Sequence, residues 1–445
     1  MLRVWTVQEV AFAQSCSIVI GYQSGYYLLS WDTYIRIFNS FLLNPPSMKR
    51  DTKRLCAALM FKGHCRALVG EGKKAIKVEK VIEIMAVLPF MKATESRDMV
   101  YAIYPILENF GVSLPDPDYS KSVEMVYEDM TRSVMNWAKS LGHFHFVCTS
   151  VRKPNIPSWV PDWQEETWMT MNITEWKTVY GDSSPLTFPE DGKMTVYGKE
   201  TGKVRIRAAR DLSMAEWWPR DAYSLNVLSL ANHATLLPVI SIIRTLREWI
   251  AFSKSCTLND KGGLHLSLFC QTLMPDSAIT SEEQKVWEIV LSIIQYPENC
   301  EYDLDGAIQR AQIIEANDQE NRAYWTKELR EVLVAAVAVS TPNTSGPNGK
   351  PLPHAEAVKK LFDQLSSRCA DRAFFITEDG RMGTSFHTVQ AGDVLVRFKG
   401  TRQPMMLRKT SENYILVGPA DVVGLDYPVD PLNDDISTMR QFTLI

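Results

Sequence analysis

The sequence predicts an α+β protein, with a mostly helical middle followed by a small C-terminal β-barrel-like module. An apolar stripe at helical spacing runs over residues 123–141, and short β-type runs separated by turn residues follow between 373 and 417. Between these regions, the segment TPNTSGPNGKPLPH at 341–354 holds four prolines and two glycines. Such a composition is typical of a linker, so we expect the β module to begin after it.

Composition places the chain among ordinary globular proteins. Of its 445 residues, 45% are hydrophobic and 22% are charged, and the formal net charge is -4. This balance predicts no nucleic-acid-binding surface. No apolar run reaches the ~18 residues that suggest a membrane span, and Glu9 interrupts the start where a signal peptide needs an apolar core. We therefore expect a cytoplasmic protein that does not enter a membrane.

The eight cysteines are scattered and form no CxxC pair, which predicts reduced and mostly buried thiols. His143, His145 and Cys148 come closest to a metal-ligand group. In the strand that we expect at 143–148, however, the two histidines would point away from the cysteine. We expect neither a metal nor a cofactor.

The first half of the chain reads as helices around one short strand. Residues 2–15 have helical spacing, 17–20 form a β-branched run, and Ser30 can cap a second helix that ends before Pro45. A helix at 96–107 should end or bend at Pro105. The apolar stripe at 123–141 predicts a long helix, and residues 150–163 an ordered loop rich in proline and tryptophan.

The second half is predicted as a hairpin and helices before the linker, and as one helix and short strands after it. Residues 194–197 and 204–207 read as two strands of a hairpin around the glycines at 198 and 202. Residues 212–340 are mostly helical, and a further helix is expected at 355–368. The strands of the β module are predicted at 373–377, 394–399, 405–408 and 414–417.

The predicted organisation has six parts in chain order. They are an N-terminal segment at 1–45, a helical region at 46–180, a mainly helical region with a hairpin at 181–340, the linker at 341–354, a helix plus β module at 355–428, and a tail at 429–445.

Two sequence blocks in the first half carry a likeness to a known family. The first is RVWTVQEV at 3–10, and the second combines an R-D-x-V-Y helix, a D-Y-S-x-S-V helix start and the loop PSWVPDW at 157–163. The residues that match the patterns of the first block are Arg3, Trp5, Gln8 and Glu9. Those that match in the second block are Arg97, Asp98, Tyr101, Trp159, Pro161, Asp162 and Trp163.

The third block lies in the β module. It consists of F-x-T-x-x-G-x-x-G from Phe375, a G-D pair, a P-x-x-L-R segment and Y-x-L-V-G from Tyr414. Its G-D and L-R pairs are Gly392, Asp393, Leu407 and Arg408. In this order, the three blocks resemble those of fungal heterokaryon-incompatibility (HET) proteins.

The resemblance implies that residues 1–45 are the C-terminal remnant of a HET domain, which is similar to the TIR fold with its parallel sheet between helices. The family's earlier blocks, Y-x-A-L-S-Y-x-W-G and D-x-x-C-I-x-Q, would lie upstream of Met1. We therefore expect a chain that is N-terminally truncated within the HET domain, or a gene model that begins too late.

The resemblance also implies a function. We expect a non-catalytic signalling or interaction protein of fungal self/non-self recognition and programmed cell death, which binds protein partners. One alternative is a TIR-like enzyme that cleaves NAD with Glu9. The other is an accessory protein of a fungal metabolic gene cluster.

Each candidate site also has a structural interpretation. Glu9 shares a helix face with Trp5, where a carboxylate can act as acid or base or can hold a ribose, but it can equally belong to an ion-pair set with Arg3. For Arg97 and Asp98 we favour a capping or ion-pair role over a catalytic one. For the PSWVPDW loop we favour a buried plug between domains over an exposed docking surface.

Overall fold

The structure is a computed structural model with an α+β architecture, as the sequence predicts. It describes residues 3–22, 25–34, 91–147, 155–164, 185–190, 192–211, 239–254, 265–273, 281–295, 372–401, 403–425 and 435–445, and isolated positions at 36, 62, 65, 66, 69, 78–85, 88, 153, 306, 361, 365 and 369. The expected linker at 341–354 and most of the helix expected at 355–368 lie outside the described residues.

The N-terminal segment is a short helix followed by a β-hairpin. Helix α1 spans Thr6–Phe12, strand β1 spans Ser17–Tyr22, and strand β2 spans Gly25–Ser30, antiparallel to β1. The predicted strand at 17–20 is confirmed, whereas β2 was not anticipated. The predicted cap at Ser30 is also confirmed, since its Oγ accepts a hydrogen bond from the Thr33 N–H at 3.2 Å.

The helical region contains α2 (Val78–Met85), α3 (Asp98–Tyr101), α4 (Tyr104–Asn109) and α5 (Val123–Ala138). The predicted helix at 96–107 is divided between α3 and α4, and Pro105 lies in the first turn of α4, where a missing N–H costs nothing. Helix α5 begins at Ser122, whose Oγ accepts from the Met125 N–H, and ends at Lys139 in the left-handed region.

The prediction of a strand at 143–148 is wrong for the part of this segment that the structure describes. Gly142–Phe146 form a 3-10 helix, and Cys148 lies outside the described residues. The physical reason is tertiary: this turn inserts the Phe144 ring into the core, 5.8 Å from the Phe398 ring, rather than adding to a sheet.

The described strands of the second half form one sheet. In chain order they are β3 (Leu186–Thr187), β4 (Met194–Asp211), β5 (Arg372–Thr377), β6 (Met382–Phe386), β7 (Val394–Phe398), β8 (Met405–Lys409), β9 (Tyr414–Val422) and β10 (Arg440–Leu444). The pairs β4–β5, β5–β6, β6–β9, β9–β8, β8–β7 and β7–β4 return to their starting strand. The sheet is therefore closed into a barrel, and this confirms the predicted barrel-like module.

The hairpin predicted around residues 194–207 is wrong, because β4 is one continuous strand. The glycines of β4 do not form a turn. They allow β7 to approach closely and β4 to bend, so that the barrel can close. A Cβ at Gly198 would lie 2.7 Å from Val396 Cγ1, and the register to β7 shifts between Glu200 and Gly202, as in a β-bulge. The bulge bends β4, so that it pairs with β10 and β7 at one end and with β5 at the other.

The chain end, which the sequence pattern placed in a tail, supplies strand β10. Phe442 and Leu444 are fully buried, and their cluster also includes Phe144 and Trp159 of the helical region. One hydrophobic core therefore joins the barrel to the helical region at 91–164.

Three more helices cover another side of the barrel. They are α6 (Val239–Ser253), α7 (His265–Leu273) and α8 (Ser281–Gln295), which agrees with the helical prediction where residues are described. The Phe374 ring of β5 lies 5.6 Å from the Trp249 ring of α6 and 5.5 Å from the Phe269 ring of α7. Both faces of this part of the sheet are consequently covered.

Within the part of the chain that the structure describes, no helix combines the length and the apolar character needed to cross a membrane.

Gly418 of the Y-x-L-V-G motif gives a first prediction. Its φ is 143°, and a Cβ there would overlap the buried Phe386 ring. We expect Gly418→Ala to lower the free energy of unfolding by about 3 kcal/mol, because overpacking adds to backbone strain. Urea denaturation measures this.

Gly392→Ala is the matched control. Its φ of 91° carries the backbone strain, but nothing lies within 4 Å of the added carbon. Equal losses for the two variants would contradict the packing argument.

Candidate functional site

The first motif block lies on α1, which turns one face into the core. Val4 and Val7 are completely buried, Trp5 is half-buried, and Glu9 is exposed on the other side. Glu9 is thus accessible to solvent. It does not lie in an apolar pocket beside Trp5.

Two basic side chains that the motif does not include hold α1 in place. Arg66 Nη1 donates to the Val10 carbonyl at 2.9 Å and to the Ala13 carbonyl at 2.5 Å, which satisfies the C-terminal end of the helix. Lys62 Nζ donates to Thr6 Oγ1 in its first turn. The spacing of Lys62, Cys65, Arg66 and Val69 is that of one helix face, and this was the signal that the sequence offered.

The ammonium group of Lys62 is the most unusual charge next to the first block. Its side chain is buried, and this burial lowers the pKa of Lys62 from 10.5 to about 8, while the negative charge of Glu9 acts in the opposite direction. The exposed Glu9 carboxylate is therefore one of the charges that act on this buried ammonium group. The expectation that Arg3 and Glu9 belong to one ion-pair set stays a prediction.

Lys62 gives a prediction about pH. Below pH 8 it is protonated in both the folded and the unfolded chain, whereas between pH 8 and 10.5 the unfolded chain holds the proton more strongly. Stability rises with pH wherever the unfolded state binds more protons. We therefore expect the wild type to gain stability relative to Lys62→Met as pH rises from about 8 to about 10.5.

Urea denaturation of both proteins at several pH values between these limits measures this difference. Lys199→Met, at an exposed position of β4, is the control and should show no such trend. A pH-independent difference between wild type and Lys62→Met would contradict the prediction.

The second block forms a hydrogen-bonded joint between α3 and the start of α5. Arg97 Nη1 donates to the carbonyls of Tyr119 and Lys121, and its Nε donates to Glu95 at 2.8 Å. Asp98 accepts from the Tyr119 hydroxyl at 2.7 Å. Arg97 and Asp98 therefore bind the D-Y-S segment that follows them in the family pattern.

Tyr101 completes the same joint. Its hydroxyl donates to the Asp118 carbonyl at 2.9 Å and accepts from the Asp118 N–H at 3.0 Å. The Asp118 carboxylate in turn accepts from the Ser120 N–H and hydroxyl, and these bonds lower the pKa of Asp118. The motif residues here fix a loop, which agrees with the structural interpretation.

The PSWVPDW loop lies between the helical region and the barrel. Trp159 and Trp163 are fully buried, and Trp159 Nε1 donates to the Gly192 carbonyl at 3.1 Å. Ser158 bonds the barrel directly, since its N–H donates to the Ile445 carbonyl and its Oγ accepts from the Leu416 N–H. The buried tryptophans leave no exposed aromatic anchor, so the geometry is that of a plug.

The remaining residues of this loop support its shape. Pro161 is buried, and Asp162 forms an ion pair with Lys153 at 2.7 Å and accepts from the Gln164 N–H. The motif pattern includes Ser158 but could not show that it bonds the barrel, because Leu416 and Ile445 lie far from it in the chain.

In the β module, the G-D and L-R motifs meet in one ion pair. Arg408 Nε donates to Asp393 Oδ1 at 2.9 Å and Arg408 Nη2 to Asp393 Oδ2 at 2.8 Å, while Asp393 is only 2% exposed. Arg408 also donates to the Thr388 carbonyl, and Leu407 beside it is fully buried. Gly392 has the positive φ of the turn before Asp393. The pair thus fastens this turn to β8.

The described bonds do not gather the motif residues into one cluster. Three motif carboxylates bond three different partners: Tyr119 for Asp98, Lys153 for Asp162 and Arg408 for Asp393. His143 is buried against the Phe144 ring, and no three His, Cys, Asp or Glu side chains come together within the described ranges. These contacts link neighbouring segments of the fold.

Comparison with known proteins identifies one part of the chain. Residues 353–427 match the family described as the Het-6 beta-barrel domain, which is found in fungal heterokaryon-incompatibility proteins. The match includes the third motif block and strands β5 to β9, whereas β4, which closes the barrel, and β10, which pairs with β4 and β9, lie outside it. No curated protein and no solved structure matches the chain.

Proposed function

We propose that this chain is a non-catalytic signalling or interaction protein of fungal heterokaryon incompatibility, acting in the cytoplasm through protein partners. The observation that carries the proposal is the Het-6 beta-barrel domain at 353–427. The likeness of the first two blocks to HET proteins supports it further, because those blocks precede the barrel in the family's order.

The use of the polar motif residues supports a non-catalytic role. Arg97 and Asp98 bind the neighbouring D-Y-S segment, and the carboxylate of Asp393 is buried under Arg408. A catalytic group has to reach a substrate atom, whereas these groups face other parts of the chain. The motifs are thus explained by the stability and shape of a recognition module.

The continuity of the core supports an action of the chain as a unit. The barrel strands β4, β7, β9 and β10 share one hydrophobic cluster with α4, α5 and the PSWVPDW loop. A partner that binds either part therefore contacts a body whose two parts are packed together.

Hyphal fusion tests the proposal. A fungal strain that expresses the full chain is fused with strains that carry different alleles of it or none, and dye uptake counts the dying fusion cells. We expect death in one or more unlike combinations and none in self-fusions. Gly418→Ala, which disturbs the barrel, should abolish the response, and Gly392→Ala should retain it. Survival in all combinations would contradict the proposal.

The enzymatic alternative uses Glu9, and the exposure of Glu9 is the observation in its favour. We expect no nicotinamide release when the full chain is incubated with NAD, because α1 turns its buried face to the core and leaves Glu9 outside any apolar pocket. The assay is run on wild type and Glu9→Gln by chromatography of the products. Release that is present in the wild type and lost in Glu9→Gln would establish the enzyme instead.

A further inference from the structure

The β1–β2 hairpin is exposed on both of its faces beyond its base. Val19 and Leu28, which pair across the two strands, and Tyr26 are 62%, 65% and 66% exposed on one face, and Tyr27 is 63% exposed on the other. The base is anchored, because Ile18 is buried. A flat protein surface covers one face of such a hairpin, whereas a fluid phase surrounds both.

The composition of the hairpin suits the boundary between a membrane and water. Residues 10–31 contain no Asp, Glu, Lys, Arg or His, and the exposed side chains combine aliphatic groups with tyrosines, which are enriched at this boundary. Among the described residues the hairpin is a two-stranded sheet, so its outer edges present N–H and C=O groups. These groups need water, which the hydrocarbon core does not supply. The hairpin therefore fits the headgroup region of a bilayer.

The charge of the surrounding sequence selects an anionic surface. Residues 1–80 hold twelve Lys or Arg and five Asp or Glu, a net charge of +7, although the whole chain has a net charge of -4. Lys62 and Arg66 are used inside the fold, and the remaining ten basic residues still outnumber the acidic ones. Such a charge asymmetry along a chain is typical of binding to nucleic acid or to a membrane. An uncharged, partly aliphatic hairpin favours the membrane, because nucleic-acid grooves interleave aromatic with basic side chains.

We propose that residues 1–80 bind the surface of an anionic lipid membrane, with the β1–β2 hairpin inserted among the headgroups and the basic residues attracted to the lipid phosphates and carboxylates. Apolar insertion and a basic segment together give firmer membrane binding than either does alone. The expectation of a chain that does not enter a membrane rested on the length of its apolar runs, and a hairpin in the headgroup region needs no such run. The inference does not depend on the proposed function, because the hairpin lies outside the motif blocks.

Cosedimentation of the full chain with lipid vesicles tests the proposal. We expect binding to phosphatidylcholine vesicles that contain about 30% phosphatidylserine, much weaker binding to pure phosphatidylcholine, and a loss of binding as the salt concentration rises from about 0.1 to 0.5 M. The double variant Val19→Ser/Leu28→Ser should bind the anionic vesicles at least about tenfold more weakly, because two apolar side chains no longer enter the interface. Circular dichroism shows whether each variant has kept its fold.

The matched control is Met125→Ser/Ile436→Ser, which removes two exposed apolar side chains outside residues 1–80. It should bind like the wild type. A wild type that fails to sediment with anionic vesicles, or that binds neutral vesicles equally well, would overturn the proposal, as would a hairpin variant that binds like the wild type. A gel shift with single-stranded RNA is run in parallel. Binding to RNA without binding to vesicles would assign the basic segment to nucleic acid instead.

Discussion

A chain that ends at Met439 is expected to lose the cooperative folding of its barrel. Strand β10 pairs with β4 at five positions, from Arg440 with Gly198 to Leu444 with Met194. It also touches β9, where Ile445 N–H donates to the Tyr414 carbonyl. The Phe442 ring lies 5.2 Å from the Tyr414 ring and 6.0 Å from the Phe398 ring.

The expected effect is large because two buried side chains disappear together. Truncation of a buried phenylalanine costs about 3–5 kcal/mol and that of a buried leucine about 2–5 kcal/mol. Their sum is comparable with the total stability of a typical domain, about 5–15 kcal/mol. We therefore expect the shortened chain to aggregate or to show no sharp thermal transition in calorimetry.

Gln441→Ala in the full chain is the control for this truncation. Gln441 is exposed on the same strand and its side chain donates to the Tyr197 hydroxyl, so its replacement should cost less than about 1 kcal/mol. A shortened chain that melts cooperatively at the wild-type temperature would show that β10 is dispensable.

Arg408→Ala is expected to destabilise the protein by about 3–5 kcal/mol, since it leaves the buried Asp393 carboxylate without its cation. Only the Gln390 N–H, which donates to Asp393 Oδ2 at 2.8 Å, would remain from the contacts described here. The turn at 387–393 would lose its connection to β8. The free energy of unfolding in urea measures the effect.

Two further variants separate this ion pair from the general loss of an arginine. Arg381→Ala removes a partly exposed guanidinium of the same module, whose partner Asp379 is exposed, and should cost about 0–1 kcal/mol. Adding Asp393→Asn to Arg408→Ala removes the stranded charge and should recover stability. A double variant no more stable than Arg408→Ala would contradict the buried-charge explanation.

Local structure was largely predictable where one face of an element is buried. The stripe from Val123 to Ala138 gave helix α5, and the runs near 373, 394, 405 and 414 gave strands β5, β7, β8 and β9. Strand β6 was missed because its sequence, MGTSF, holds a glycine and two small polar residues. Because Gly383 has no Cβ, the Phe375 ring can lie against the backbone of β6.

The roles of the candidate site residues were less predictable. The motif pattern marked Asp393 and Arg408 but could not show that they bond each other, because their pairing depends on the path of β7 and β8. Glu9 was expected beside Trp5, but the sequence could not show that the packing of Val4 and Val7 into the core leaves Glu9 exposed. Lys62 and Arg66, which hold α1, carried only a weak signal of helical spacing.

The sequence by itself determined the α+β class, the barrel-like module and the resemblance of its motifs to HET proteins. These properties depend on periodicity and residue order within short segments. Only the tertiary structure decided that β4, which lies outside the matched residues 353–427, closes the barrel, and that β10 pairs with β4 and β9. The physical reason is that periodicity reports which face of a strand is buried, whereas the strand's partner is set by contacts between residues far apart in the chain.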